Sequence, residues 1–153
     1  MGLQFQFKTF HELSTSEFHD IIALRIKVFV VEQNCPYLEL DGKDKKCYHV
    51  ICRTGAGDIV ATARIVPPGI SYKEVSIGRV VMTEALRGNG NGHLLMKQCL
   101  DFSKAEFGAG AIRISAQKHL EPFYMAHQFV STGKEYLEDG IPHVEMLFNP
   151  NHN

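Results

Sequence analysis

No apolar run in this 153-residue sequence approaches the roughly 20 residues that cross a bilayer as a helix. A dense stretch of Lys and Arg is also missing, since 16 basic residues face 17 acidic ones for a formal net charge of -1. That balance removes the electrostatic footprint of a nucleic-acid or membrane-surface protein, so neither partner is expected. The short cluster Lys43, Lys45, Lys46 is interrupted by Asp41 and Asp44 and reads as a solvated turn. The N-terminal segment MGLQFQFKTF has no continuous apolar core of the kind an export signal needs. Gln6 stands where a myristoylation motif beginning at Gly2 requires Ser or Thr. None of the four cysteines, Cys35, Cys47, Cys52 and Cys99, forms a C-x-x-C pair. Reduced thiols in a cytoplasmic protein are the expectation. Cys47, His49 and Cys52 are zinc-ligand types, but strand alternation turns Cys52 away from the other two, so no metal site is expected.

What is present describes an ordinary folded chain. Hydrophobic residues make up 44% and charged residues 22%, which argues against disorder and for one domain over residues 1–153. The tail Asn149–Asn153 is expected to fray. Leu3, Phe5 and Phe7 alternate with polar residues, predicting a strand over 3–10. Ser14 followed by Glu17 is a capping box, and apolar residues then recur at helical spacing through Phe29 with Arg25 on the same stripe. Residues 31–46 read as a long loop broken by Pro36 and Asp41-Gly42. A hairpin over 48–54 and 58–66 follows, then a strand over 75–82 and a helix from His93 to Phe107. A strand over 112–117, a short helix opened by Glu121-Pro122, and a closing strand pair over 130–137 and 142–148 complete the chain. This order predicts an α/β fold with a mixed sheet and helices on both faces.

The segment joining the strand over 75–82 to the following helix carries the strongest chemical signal. Gly88, Gly90 and Gly92 alternate with Asn89 and Asn91 just before His93. Glycine admits positive φ and close backbone approach, and a helix N-terminus presents unsatisfied N–H groups with partial positive charge. Together they form a cradle for a phosphate or pyrophosphate, with Arg87 at its rim. A dinucleotide fingerprint needs Gly at the position of His93, and the Gly-Lys-Ser/Thr ending of a Walker loop is absent. The motif present is R-x-x-G-x-G at Arg87, Gly90 and Gly92.

That motif resembles the acetyl-CoA pyrophosphate loop of the GNAT (GCN-five-related N-acetyltransferase) superfamily. The segments LRIKVFVVEQNCPYLELDGKD, ATARIVPPG, VSIGRVVM and RGNGNGHLLM are similar to its ElaA-like branch. The resemblance implies the acyl-CoA N-acyltransferase fold, in which a mostly antiparallel sheet splays apart at the cofactor cleft. The parting strands would be Val75–Met82 and Ile112–Gln117. It implies acetyl-CoA as cofactor and acetyl transfer to the primary amine of a small molecule or peptide by direct attack. Backbone groups of Val80, Val81 and Met82 would pair with pantetheine, and one of them would polarise the thioester carbonyl. The turn Arg87–His93 would hold the pyrophosphate, with Gln117 also beside the cofactor. Tyr124 would protonate the departing thiolate. Relatives often pair through sheet edges or C-terminal strands, so a homodimer is among the expected assemblies.

Many relatives place a catalytic glutamate on the strand matching 75–82, where this sequence has only Arg79. Glu32, Glu39, Asp41 and His49 are the alternative candidates for the base. Phe29, Gln33, Tyr37 and Asp41, together with Arg25 and Arg79, are candidates for the acceptor site. Arg25, Arg64 and Arg79 stand within apolar patterns and need anionic partners. Those partners are either Glu32, Asp41 or Asp44 in an internal ion-pair network, or an anionic group of the substrate. Three other functions fit parts of the pattern. They are a non-catalytic acyl-CoA-binding or sensor module, an acyl-homoserine-lactone-synthase-like transferase suggested by LRIKVF, and a nucleotide-phosphate binder.

Overall fold

The computed structural model describes residues 2–150; the expectation for the tail falls largely on residues outside this range. The element order is the one anticipated from periodicity. β1 (Gln4–Thr9) leads into α1 (Thr15–Ile26), and β2 (Tyr48–Arg53), β3 (Ile59–Val66) and β4 (Ser76–Met82) follow. Then come α2 (Asn91–Phe107), β5 (Ile112–Gln117), α3 (Glu121–Met125), β6 (Phe129–Glu138) and β7 (Ile141–Phe148).

The capping box at Ser14 forms as its spacing dictates. Ser14 Oγ accepts from the Glu17 amide at 3.0 Å, and the Glu17 carboxylate accepts from the Ser14 amide at 2.9 Å. Lys8 Nζ and Arg53 Nη2 also donate to Glu17, tying α1 to β1 and β2. The Ser14 amide, and after it Lys8 and Arg53, outweigh the opposing effect of burial and hold the Glu17 carboxyl at about 2. Because this folded-state value lies below the unfolded one, the stabilisation is complete at neutral pH and is lost as pH falls toward 2. Glu17→Gln is therefore expected to cost about 0.5–2 kcal/mol at pH 7. Urea midpoints of the two proteins should converge as the buffer is taken from pH 7 to pH 3.

Strands β1-β2-β3-β4 form one antiparallel sheet, and β5-β7-β6 form a second. Alternation in β2 and β3 sends Val50, Cys52, Ala61, Ala63 and Ile65 to one side, where Leu95, Met96 and Cys99 of α2 complete the core. Phe7 of β1 stacks on Phe102 of α2 on the same side, with ring centroids 4.4 Å apart. The opposite face carries His49, Ile51, Thr62 and Arg64 and meets α1, whose Ile21, Leu24 and Arg25 are buried. Helices thus cover both faces of the first sheet.

Two features decide where a ligand can enter. First, the sheets touch at one parallel bridge, Val75 with Ile112, where the Arg113 amide donates to the Val75 carbonyl at 2.9 Å. Beyond it β4 and β5 part, giving the anticipated V. Second, the register of β4 slips by one residue between the pairs Thr62–Val81 and Arg64–Gly78. Arg79 occupies this bulge with φ of 51°, a left-handed conformation uncommon for a residue with a Cβ.

The helix begun at Thr15 does not end as a regular α-helix. Lys27–Glu32 form a π-helical turn, with the amides of Gln33 and Cys35 donating five residues back to Val28 and Val30. The β-branched residues Val28, Val30 and Val31 crowd a tight α-turn and favour this widening. Periodicity alone does not separate the two helix types.

Candidate active site

A cavity of roughly 700 Å³ occupies the V. Its walls are Ile77–Val80 of β4, Ser115–Gln117 of β5, and Tyr124 of α3. The roof comes from the π-turn and the loop after it, including Phe29, Gln33 and Tyr37. The side-chain amides of Gln33 and Gln117 pair across the gap at 3.3–3.4 Å, and Cys35 Sγ reaches the Asp139 carbonyl at 3.5 Å. These two contacts join the roof to the second sheet.

The bulge sets which backbone groups face the cleft. The Thr83 amide donates to the Val60 carbonyl at 2.8 Å, so residue 83 points toward β3. Antiparallel alternation then turns Val81 toward β3 as well and leaves Val80 and Met82 on the edge facing β5. Without the extra residue at Arg79 this parity would reverse. Val81 is therefore a correction to the expected set, since its amide and carbonyl belong to the ladder. The Met82 carbonyl accepts from Arg87 Nε at 3.0 Å.

The glycine turn follows the end of β4 and lies outside the cavity lining. Gly88 and Gly90 have φ of 86° and 78°, and Gly90 is the N-cap of α2 with no side-chain cap. Asn91 Nδ2 donates to the Leu86 carbonyl at 2.9 Å and pins the turn from below. The first amides of α2, at Asn91, Gly92 and His93, have no carbonyl one turn back. A Cβ at Gly92 would sit 3.4 Å from the Phe123 ring, so α3 packs directly on this helix start. His93 stacks on that ring and places Nδ1 2.8 Å from His127 Nε2. Asn89 is exposed between the two left-handed glycines. The Arg87 guanidinium, expected at the rim of the turn, instead bridges Met82 and Glu32, the latter at 3.0 Å.

Tyr124 lines the cavity at 8% exposure, with Phe123 and Phe129 packed edge-on against it. Burial, and after it Cys99, pushes its phenol up to about 12. It stays protonated across the neutral range, as a proton donor must.

The three unusual arginines are partnered inside the protein. Arg25, 1% exposed, binds Glu39 through Nε and Asp44 at 2.8 Å. Arg64 grips Asp41 with two bonds of 2.9 Å and reaches Asp44 at 3.2 Å. Arg79 binds Glu39 at 2.9 Å and lies over the Tyr37 ring at 5.9 Å. The network uses Glu39 where Glu32 had been a candidate, because Glu32 is taken by Arg87 at the cleft mouth. Arg25 lies behind the cavity wall and does not line it, which corrects its expected substrate role. Phe29, Gln33, Tyr37, Asp41 and Arg79 do line it.

The expected bases fare differently. Glu39 is 5% exposed and held by Arg25, Arg79 and the Tyr37 hydroxyl. For Asp41, burial alone would raise the carboxyl, but Arg64 outweighs it and holds the group far below the usual carboxylate range. His49 is fully buried on the α1 side of the sheet, with Nε2 2.8 Å from the Asp44 carbonyl, and it does not line the cavity. Missing from the sequence reading are Ser71, Tyr72, Glu138 and His143, which form the cavity's far wall. The one local hint was His143 at the start of an apolar strand, and β7 turns toward β5 only through long-range pairing.

Comparison with known proteins gives this geometry its family. The profile described as an acetyltransferase (GNAT) domain matches residues 24–149. A UPF0039 protein of Schizosaccharomyces pombe is 45% identical, with 95% of this chain and 96% of that protein aligned. The crystal structure of an acyl-CoA N-acyltransferase from Pseudomonas aeruginosa superposes with a TM-score of 0.90 at 37% identity, covering 96% of this chain and 99% of that one. Escherichia coli ElaA superposes with a TM-score of 0.89 at 36% identity, covering 97% and 100%. A cleft between splayed strands, an uncapped glycine turn at its end and these full-length likenesses agree: the chain belongs to the GNAT acetyltransferase family, in its ElaA-like branch.

Proposed function

We propose that this protein moves an acetyl group from acetyl-CoA to a primary amine of a small molecule or peptide, within a ternary complex. The reading is carried by one continuous feature: the open β4 edge at Val80 and Met82 connects a cavity holding a buried, protonated tyrosine to a turn rich in free amides. Acetyl-CoA would supply the activated acyl thioester. The amides of Asn91–His93 and the glycine turn suit its pyrophosphate, as unsatisfied donors at a positive helix end. The free edge at Val80 offers an amide to the thioester carbonyl and can stabilise the negative charge that develops there. Tyr124 holds the proton that the sulfur must receive. The roof formed by Gln33, Cys35 and Tyr37 partly covers this reaction space.

The lack of a carboxylate on β4 favours a second reading, an acyl-CoA-binding module without turnover. Calorimetry with acetyl-CoA and with ATP, followed by thiol release against a panel of amines, tests both. Binding of acetyl-CoA in preference to ATP together with amine-dependent thiol release supports the enzyme. Tight binding without release supports the module, and equal competition by ATP sinks both. Gly90→Ala places a Cβ at φ of 78°. The strain of about 1–2 kcal/mol should displace the turn and weaken acetyl-CoA binding by about tenfold.

A further inference from the structure

We propose that the acceptor is an amine that also carries a carboxylate, and that Lys43, with Ser71 and Arg79, holds this carboxylate in the cavity. The proposal rests on the acyl-transfer reading above and names its acceptor class. By sequence Lys43 belongs to a solvated turn. The fold instead brings it to the cavity lining, beside Ser71 of the connection between β3 and β4.

Charge matching singles Lys43 out. Arg25, Arg64 and Arg79 are balanced one for one by Glu39, Asp41 and Asp44, so that network is neutral. Lys43 stands next to it and takes part in no ion pair among the described residues; its ammonium donates to Ser71 Oγ at 2.9 Å. An ammonium has three donors, and Ser71 uses one of them. Because Ser71 Oγ accepts that bond, its own hydrogen is free to donate. Arg79 binds Glu39 through Nε and Nη2, and its Nη1 has no partner among the described residues. Glu39 and the Tyr37 ring already fix this guanidinium, so little side-chain freedom is lost when Nη1 takes a ligand.

Lys43 and Arg79 both flank Asp41, through the Lys43 amide at 3.0 Å and Arg79 Nη2 at 3.6 Å. The result is a group of unused donors with one surplus positive charge. That matches a carboxylate monoanion, whereas a phosphate dianion would bring a second charge without a partner. Glu138 and Asp139, from the hairpin of β6 and β7, also line the cavity. Glu138 pairs with His143, Asp139 has no ion partner among the described residues, and neither is within ion-pair distance of Lys43. An unpaired ammonium and an unpaired carboxylate in one cavity suit an acceptor that arrives as a zwitterion.

Probes paired to differ by the carboxylate alone test this: ε-aminohexanoate with hexylamine's shorter homologue pentylamine, phenylalanine with phenethylamine, and lysine with cadaverine. With acetyl-CoA, the wild type should show at least about tenfold higher kcat/KM for the acid of one pair or more. Equal or better use of the plain amine in every pair overturns the proposal while leaving acyl transfer intact. Lys43→Met keeps most of the apolar stem and removes the charge. It should raise KM for the preferred acid by about tenfold or more, with kcat and both constants for the matching amine within about twofold. Its melting temperature should stay within about 2 °C of wild type, and Lys43→Arg should recover most of the loss. An unchanged KM for the acid, or an equal loss for both members of the pair, overturns the proposal. Saturation-transfer NMR of the same acids and amines on the CoA-loaded protein reads binding without turnover. If no probe is acetylated, this measurement decides: acid preference that disappears in Lys43→Met supports the site, and equal signals for acid and amine overturn it. Failure of the wild type to bind acetyl-CoA strikes the acyl-transfer reading itself, and the same comparison without CoA then decides the carboxylate site.

Discussion

Tyr124→Phe is expected to lower turnover by about 10²–10⁴ while leaving acetyl-CoA affinity within about twofold. The phenol is buried between Phe123 and Phe129, so removing its oxygen leaves the ring packing intact. What disappears is a proton held at the cavity wall by a group whose burial keeps it protonated. A thiolate expelled without a proton donor beside it is a poor leaving group. The effect should therefore fall on kcat, with little change in the concentration of acetyl-CoA that saturates the enzyme. Thiol release at saturating acetyl-CoA measures it, and a Tyr124→Phe enzyme with undiminished kcat would reduce Tyr124 to a packing residue.

Arg25→Leu is expected to destabilise the protein by about 3–5 kcal/mol, since it removes one partner of a buried ion-pair network. Arg25 is shared between Glu39 and Asp44, and its loss leaves two enclosed carboxylates with fewer cations than charges. For a chain of this size the melting temperature should fall by roughly 10 °C. The network has a pH signature. Burial alone would raise the Asp44 carboxyl, but Arg25 and Arg64 reverse this and hold it below its ordinary value. A depressed folded-state value contributes stability above the unfolded carboxyl's titration and loses it as the solution is acidified. The gap between wild type and Arg25→Leu should therefore be widest at neutral pH and narrow below about pH 4. Guanidinium unfolding at several pH values would show it, and a constant gap would mean that Arg25 contributes packing alone. The same network anchors the loop from Gln33 to Lys46, which roofs the cavity, so substitutions there should also change acceptor KM.

Legibility from sequence differed by the kind of interaction. The capping box at Ser14, the left-handed glycines at 88 and 90 and the order of elements were readable because each depends on residues within one or two turns. Period-two and period-3.6 patterns record which face is buried, and glycine records where φ must be positive. The buried arginines were recognisable as residues in need of anions, but Glu39 could not be told from Glu32 as the partner. Both lie in the same irregular stretch, and the choice depends on how the π-turn aims the loop.

Sequence by itself thus determined the family, the strand–turn–helix proposed as the anion cradle, and the tyrosine proposed as the acid. Only the tertiary structure decided that a bulge at Arg79 turns Val80 and Met82, and not Val81, to the open edge. It also decided that β7 carries His143 to the wall beside Gln117. The reason is physical: local backbone preferences are written in neighbouring residues, whereas strand register and ion-pair choice arise from contacts between segments dozens of residues apart.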